Sequence, residues 1–186
     1  MTAKKKFNLA DNEVQSWSPH THVTGEVFCL AHLDAELVTY QDSKQASVIY
    51  KFYITYSHHC FTKDEPSGNN ASNPALQYPS PKDRRAFHIG RYNLSKSLPQ
   101  IIRTLPEQFV YHGGYDNYCS ATFTDGQGNE IVYQIVFSVF RSQKKLRLHV
   151  ESAYLLEKGL GKIKKVKFEK IAWALLKNKK LPKPAN

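Results

Sequence analysis

In the stretch Leu146 to Tyr154, LRLHVESAY, an arginine, a histidine and a glutamate recur at every second position: Arg147, His149 and Glu151. Side chains two apart on an extended chain point the same way and lie about 7 Å apart, close enough to converge on one small group. Such a trio has the chemistry of metal-independent RNA cleavage. A carboxylate or imidazole takes the 2′-hydroxyl proton, the other protonates the leaving 5′-oxygen, and arginine stabilises the charged phosphorane. The plainer reading is the wet face of an antiparallel strand, where charges of alternating sign are ordinary.

A second cluster, SHHCFT from Ser57 to Thr62, stands where a strand runs out into a loop. His58 and His59 point to opposite faces if the strand continues, so one of them can act as acid or base beside the trio, with Thr62 donating to phosphate. Cys60 as a thiolate is the weaker choice, because nothing in the sequence fixes a base beside it. The plainer reading is a packed cysteine and hydrogen-bonded histidines. A third cluster joins Arg84 and Arg85 to RYNLS, where Arg91 and Tyr92 can hold phosphate and stack a base or simply cover the edge of a core. Lys164, Lys165 and Lys167 add a cationic end to the substrate-binding candidates.

The eight histidines raise the question of metal, and the HTH of His20 to His22 with His59 or Cys60 is the set to consider. No H-E-x-x-H, no C-x-x-C and no deaminase pattern is present, so no metal is expected. The glycine-rich phosphate loops are likewise missing, GLGK at 159–162 being too short, and no nucleotide cofactor is expected.

The elements that must position these groups are legible from periodicity. SVIYKFYITYS, Ser47 to Ser57, alternates as a strand. Residues 63–82 carry four prolines among Asn, Ser and Gly and are expected to be one long loop, a length that often marks a lid. Ser97 can cap a short helix whose Leu98, Ile101, Ile102 and Leu105 form one stripe before Pro106. Asn117–Thr124 and Ile131–Phe140, joined by DGQGN, predict a hairpin, and LRLHVESAY after SQKK predicts a third antiparallel strand. VKFEKIAWALLKNKK predicts a helix burying Phe168, Ile171, Ala172, Leu175 and Leu176, with lysines outside and a basic tail over 178–186. In the first 46 residues HVTGEVFCL fits a strand, and AHLDAELVTY fits helix or strand. The expected class is α+β: a single domain over 1–186, a mostly antiparallel meander with a few packing helices.

Composition narrows the class of protein. The chain has 186 residues, 41% hydrophobic and 23% charged, which fits one folded domain and excludes a disordered or collagenous chain. Three cysteines encode neither a disulfide framework nor a zinc ribbon, and no apolar run spans a bilayer. The opening MTAKKKFNLADNEVQ lacks a signal-peptide core, so a cytoplasmic protein without membrane contact is expected. The net charge of +10 is uneven. Residues 141–186 hold 14 basic and 3 acidic side chains, a net of +11, against 12 and 13 in the first 140. A positive face of that kind attracts a polyanion.

Together SHHCFT, RAFHIGRYNLSKSLPQII and LRLHVESAY resemble a set of small bacterial proteins, often of prophages or mobile elements. The resemblance implies a bacterial or phage cytoplasmic protein and supplies no catalytic residues. Separately, a helix followed by an antiparallel meander is similar to the barnase-like and toxin-type ribonucleases, which place His, Arg and Glu on the sheet face. The terminal helix and the proline-rich loop depart from that pattern. The leading expectation is a basic protein that engages RNA rather than DNA, with metal-independent ribonuclease activity as its catalytic form. The alternatives are a non-catalytic nucleic-acid-binding module and a mobile-element factor whose lysines dock an acidic protein. The deciding geometry is whether the ionisable row lines a pocket with SHHCFT, bordered by the lysines.

Overall fold

Alternating apolar residues in five long strands, and one helical stripe near the end of the chain, dictate a sheet with one helix-covered face. The protein is described here by a computed structural model, which covers Leu9 and residues 13–64, 77–78, 85–108, 110–114, 117–124, 130–156 and 164–182. Along the chain, a short hairpin of β1 (His20–Thr21) and β2 (Val27–Phe28) precedes β3 (Glu36–Gln41) and β4 (Ile49–Tyr56). A 3-10 turn at His58–Cys60 leads into β5 (Thr62–Asp64), which joins β6 (Gln77–Tyr78) and β7 (Arg85–Phe87) in a small sheet. Two helices follow, α1 (Ile89–Ser95) and α2 (Leu98–Arg103). Then come β8 (Val110–Gly114), β9 (Asn117–Thr124), β10 (Glu130–Ser142), β11 (Lys145–Leu155) and β12 (Lys165–Val166), before the last helix, α3 (Phe168–Leu176).

The main sheet runs in the order β12-β8-β9-β10-β11-β4-β3. The stretch from β8 to β11 is an antiparallel meander, in which the alternation and turn residues predict β9, β10 and β11 but not β8. Gln143 and Lys144 close its last hairpin with φ of 50° and 64°, the left-handed pair that a two-residue turn between twisted strands requires. Beyond β11 the sheet changes character: β4 pairs with it in parallel, Leu146 beside Phe52 and His149 beside Thr55. The class is α+β, with a mostly antiparallel sheet in which β4 and β11 form a parallel pair.

One face of that sheet, from Phe52, Ile54 and Tyr56 across Leu148 and Val150 to Phe137, is fully buried. Helices α2 and α3 both cover it and meet it at Tyr40, whose hydroxyl donates to the Ile102 carbonyl of α2 at 2.6 Å. The Phe168 ring of α3 lies 5.0 Å from Tyr40 and 5.6 Å from Phe52. Each large apolar side chain buried there contributes about 2 kcal/mol.

Three expectations need correction. The span 63–82 is not all irregular: Lys63 and Asp64 belong to β5, and Gln77 and Tyr78 to β6. The Tyr78 ring packs 5.0 Å from Phe61, and that aromatic contact overrides the prolines around it. The rest of the span lies outside the described residues, as do the DGQGN turn and positions 183–186 of the basic tail. Leu176 is 36% exposed, and Ala174 takes its place on the buried side of α3. Finally, Ser97 stands at the N-cap of α2 without a side-chain capping bond, and RYNLS just before it forms most of a further helix, α1, whose first turn is capped by His88 Nδ1 accepting from the Arg91 amide. No described helix is long and apolar enough to cross a membrane.

Candidate functional site

The ionisable row of β11 lies on the sheet face turned away from α3. Arg147 stands beside Tyr53 and His149 beside Thr55 in the parallel register, while Phe52 and Ile54 point the other way. The row is not wet: Arg147 is 1% exposed and His149 5%. Its cover is an N-terminal segment held by the Ala35 amide donating to the Gln15 carbonyl (2.8 Å) and the Trp17 amide to Asp34 Oδ1 (2.7 Å). That segment lays the buried carboxylate of Glu13 onto the row. Glu13 Oε2 pairs with Arg147 Nη2, and Oε1 accepts from Arg147 Nε at 3.2 Å and from the Thr55 hydroxyl at 2.9 Å.

Counting protons fixes the histidine. Thr55 has one hydroxyl proton and gives it to Glu13, so its oxygen receives the hydrogen bond from His149 Nδ1 at 2.9 Å. The neutral imidazole therefore carries its proton on Nδ1, and Nε2 keeps a lone pair 3.8 Å from Glu151 Oε2. Burial holds the His149 pKa below its ordinary value against the opposing pull of Glu151 and Glu13. Glu151 itself sits at a β-bulge, since Val136 pairs with Ser152 and Phe137 with Val150. Its side chain is 43% exposed and accepts from Ser138 Oγ at 2.7 Å. The row can thus hold a proton at Nε2, but its arginine is bound to Glu13 and does not meet a phosphate while that segment is in place.

The SHHCFT cluster does come to β11, because the Ser57 amide donates to the Val150 carbonyl at 2.9 Å. The strand does not continue through it. The 3-10 turn sets the His58 and His59 rings edge to face at 4.5 Å instead of on opposite faces, and His58 lies near enough to His149 to disfavour its charging. Cys60 is fully buried and burial pushes its thiol up to about 12, so it is no thiolate nucleophile. Thr62 is buried, its hydroxyl donating to the His58 carbonyl (2.9 Å) and accepting from Arg85 Nε (2.7 Å), which leaves nothing for phosphate.

The arginine and tyrosine candidates are equally engaged. Arg85 is 5% exposed and pairs with Asp64. Arg91 Nη1 donates to the carbonyls of Thr62 (2.7 Å) and His59 (3.2 Å), with its guanidinium over Tyr154. Tyr92 is buried among Phe28 and Phe87, its hydroxyl on the Cys29 carbonyl, so it stacks on the core and not on a base. Arg84 lies outside the described residues. His20 stacks on Phe87 at 4.3 Å, and among the described residues no three His, Cys, Asp or Glu side chains gather as a metal requires.

Lys164, Lys165 and Lys167 are exposed, and Lys167 lines a cleft of ≈ 410 Å³ between the β3–β4 turn, α3 and the segment after it. Lys44, Lys170, Lys179 and Lys180 share that cleft, with Trp173 among them. The backbone explains the gathering. Asn178, at φ 52°, ends α3 with the amides of Asn178 and Lys179 returning to the carbonyls of Leu175 and Ala174. That reversal swings Lys179 back over the helix, its Nζ 4.6 Å from the Trp173 ring centroid, and Tyr118 pins the segment by donating to the Pro182 carbonyl at 2.8 Å. The two carboxylates of the cleft are engaged elsewhere: Asp42 accepts from the Tyr50 hydroxyl (2.6 Å), Glu169 from the Ser43 amide (2.8 Å). Among the described residues none of the five lysines is in an ion pair.

The row and the five lysines of the cleft therefore occupy opposite sides of the sheet and do not border one pocket. Sequence reasoning missed Glu13, Thr55 and Ser138 in the row and Lys44, Lys170, Trp173, Lys179 and Lys180 in the cleft. A helical wheel finds Trp173 and Lys170 on one outer face of α3, and an Asn before a lysine pair is a stop signal. Glu13 has no comparable mark.

Comparison with known proteins gives the chain its relatives. Residues 19–176, from just before β1 to the last turn of α3, match the YjaZ family. The chain is similar to protein YjaZ of Escherichia coli (strain K12), at 42% identity over 177 residues that cover 93% of this chain and 98% of the relative. No solved structure matches. Matched along most of its length on both counts, the chain belongs to the YjaZ family.

Proposed function

We propose that this is a cytoplasmic RNA-binding protein and that RNA lies in the lysine-lined cleft beside α3. The observation that carries the reading is the set of five lysines without an ion-pair partner among the described residues, gathered round one concavity whose own carboxylates are engaged. Five lysines outnumber the two carboxylates of the cleft, and concave net positive charge concentrates phosphates, each phosphate neutralised releasing counterion. The lysines come from a turn, a helix and the chain beyond it, which suits an extended polyanion better than a compact one.

The test is anisotropy of a labelled RNA of about 10 nucleotides over a salt series, where five lysines predict log K falling with log salt at a slope of about −3.5. No binding at about 50 mM salt, or a slope near zero, removes the reading. An acidic protein would use the same lysines, and a stoichiometric partner that stays bound after nuclease treatment would move the reading to a mobile-element interaction factor.

A second reading, metal-independent RNA cleavage, is favoured by one observation: the unprotonated Nε2 of His149 beside Glu151, a candidate base for a 2′-hydroxyl. It lies across the sheet from the cleft and has no free arginine in its row, so binding without cleavage is the reading we adopt. Cleavage of the bound RNA in EDTA that disappears in His149→Ala would reverse that choice.

A further inference from the structure

We propose that the Trp173 indole is a stacking platform for one unpaired base, so that the cleft selects single-stranded RNA over duplex and over base-free polyanions. The proposal rests on the RNA-binding reading of the same cleft and deepens it.

Helix α3 turns Phe168, Ile171, Ala172 and Leu175 into the core, which leaves Trp173 on the outer side beside Lys170. There the residue is 42% exposed, so part of its ring meets solvent on a lysine-rich face. Aromatic faces in basic grooves are what stack the bases of single strands. The reversal at Asn178 supplies the second part, because it holds Lys179 Nζ over the ring, 4.6 Å from its centroid. A base that stacks on that face takes the place of the ammonium, which on its flexible stem moves out to the base's own phosphate. Size supplies the third: ≈ 410 Å³ is within the range of pockets for small organic ligands, enough to seat one nucleotide while neighbouring phosphates of the strand meet the lysines of the rim. Bases inside a duplex are stacked on one another and present no face to Trp173, whereas an abasic strand presents phosphates alone. Every base has a π-face, so the sequence preference is weak.

The experiment measures anisotropy of the full chain, Trp173→Ala and Trp173→Phe, against three probes of about 10 nucleotides: unstructured RNA, duplex RNA and an abasic ribose-phosphate strand. Trp173→Ala is expected to weaken the unstructured RNA about tenfold and Trp173→Phe much less, with the other probes bound equally by all three proteins. Thermal melting confirms that the variants fold, as exposure of Trp173 implies, and the Phe variant keeps a ring should the Ala variant not fold. Equal affinity of wild type and Trp173→Ala for unstructured RNA overturns the platform. So does an equal loss for all three probes. In both cases salt-dependent binding by the wild type leaves the RNA reading standing, whereas a wild type that binds no probe removes both.

Discussion

At the scale of single residues, the Nδ1 proton of His149 makes stability depend on pH in a definite direction. Its neutral form is fixed by Thr55, and its charged form is penalised by burial, so its pKa in the folded chain lies below the ordinary 6.5. Between that lowered value and 6.5 the unfolded chain binds more protons than the folded one. The contribution of His149 is therefore complete above 6.5 and is lost as the pH falls through the folded pKa. His20, His32 and His88 are lowered by burial as well and act with the same sign, so the measurement must be a difference. Urea unfolding of the wild type should show stability falling from about pH 7.5 to about pH 5.5, and His149→Gln should fall less. Equal losses in the two proteins would mean that His149 is not the buried neutral base described. The alternation of LRLHVESAY was enough to place Arg147 and His149 on one face. Strict alternation was not enough for Glu151, because the bulge that re-aims it depends on pairing with β10.

At the scale of elements, β11 has an apolar side and an ionisable side, and the second belongs in water unless another segment covers it. The segment that covers it supplies Glu13, 134 positions before Arg147, from a region with no period of its own. That is why the sequence reads a wet face where the chain has a buried one. The parallel partner was hidden for a related reason: alternation identifies β4 as a strand but not its neighbour, and Thr55 lies 94 positions from His149. By contrast β9, β10, β11, α2 and α3 are built from local periodicity and turn chemistry and were legible. Burial makes the Glu13–Arg147 pair asymmetric in its energetics, since losing one charge strands the other. Glu13→Gln, which keeps the shape and an acceptor for Thr55, should destabilise the chain by about 3–5 kcal/mol in urea unfolding. Replacing both, Glu13→Leu with Arg147→Met, should cost far less than Glu13→Gln alone. A Glu13→Gln variant within about 1 kcal/mol of wild type would show that the N-terminal cover does not hold Arg147.

At the scale of the whole molecule, the fold separates two chemistries that the sequence placed together. The fold class and the cationic last quarter were legible from composition and period, but the side of the sheet that α3 covers is settled only by packing. Phe168 meets Phe52, so the cleft beside α3 lies on one side, and Arg147 meets Tyr53, the next residue along, so the row lies on the other. Net charge alone cannot distinguish a localised binding face from general attraction of a +10 protein, but the two sides can be set against each other. Lys51 is exposed on β4 and points with Tyr53, away from α3; Lys170 is exposed on α3 within the cleft. Lys51→Glu and Lys170→Glu change the net charge by the same amount at these two places. If RNA binds in the cleft, Lys170→Glu should weaken it about tenfold and reduce the salt slope by about 0.7, while Lys51→Glu should leave the slope unchanged. Equal losses from both substitutions would mean that the whole cationic surface attracts RNA without a site, and a loss confined to Lys51→Glu would move the interface to the side of His149.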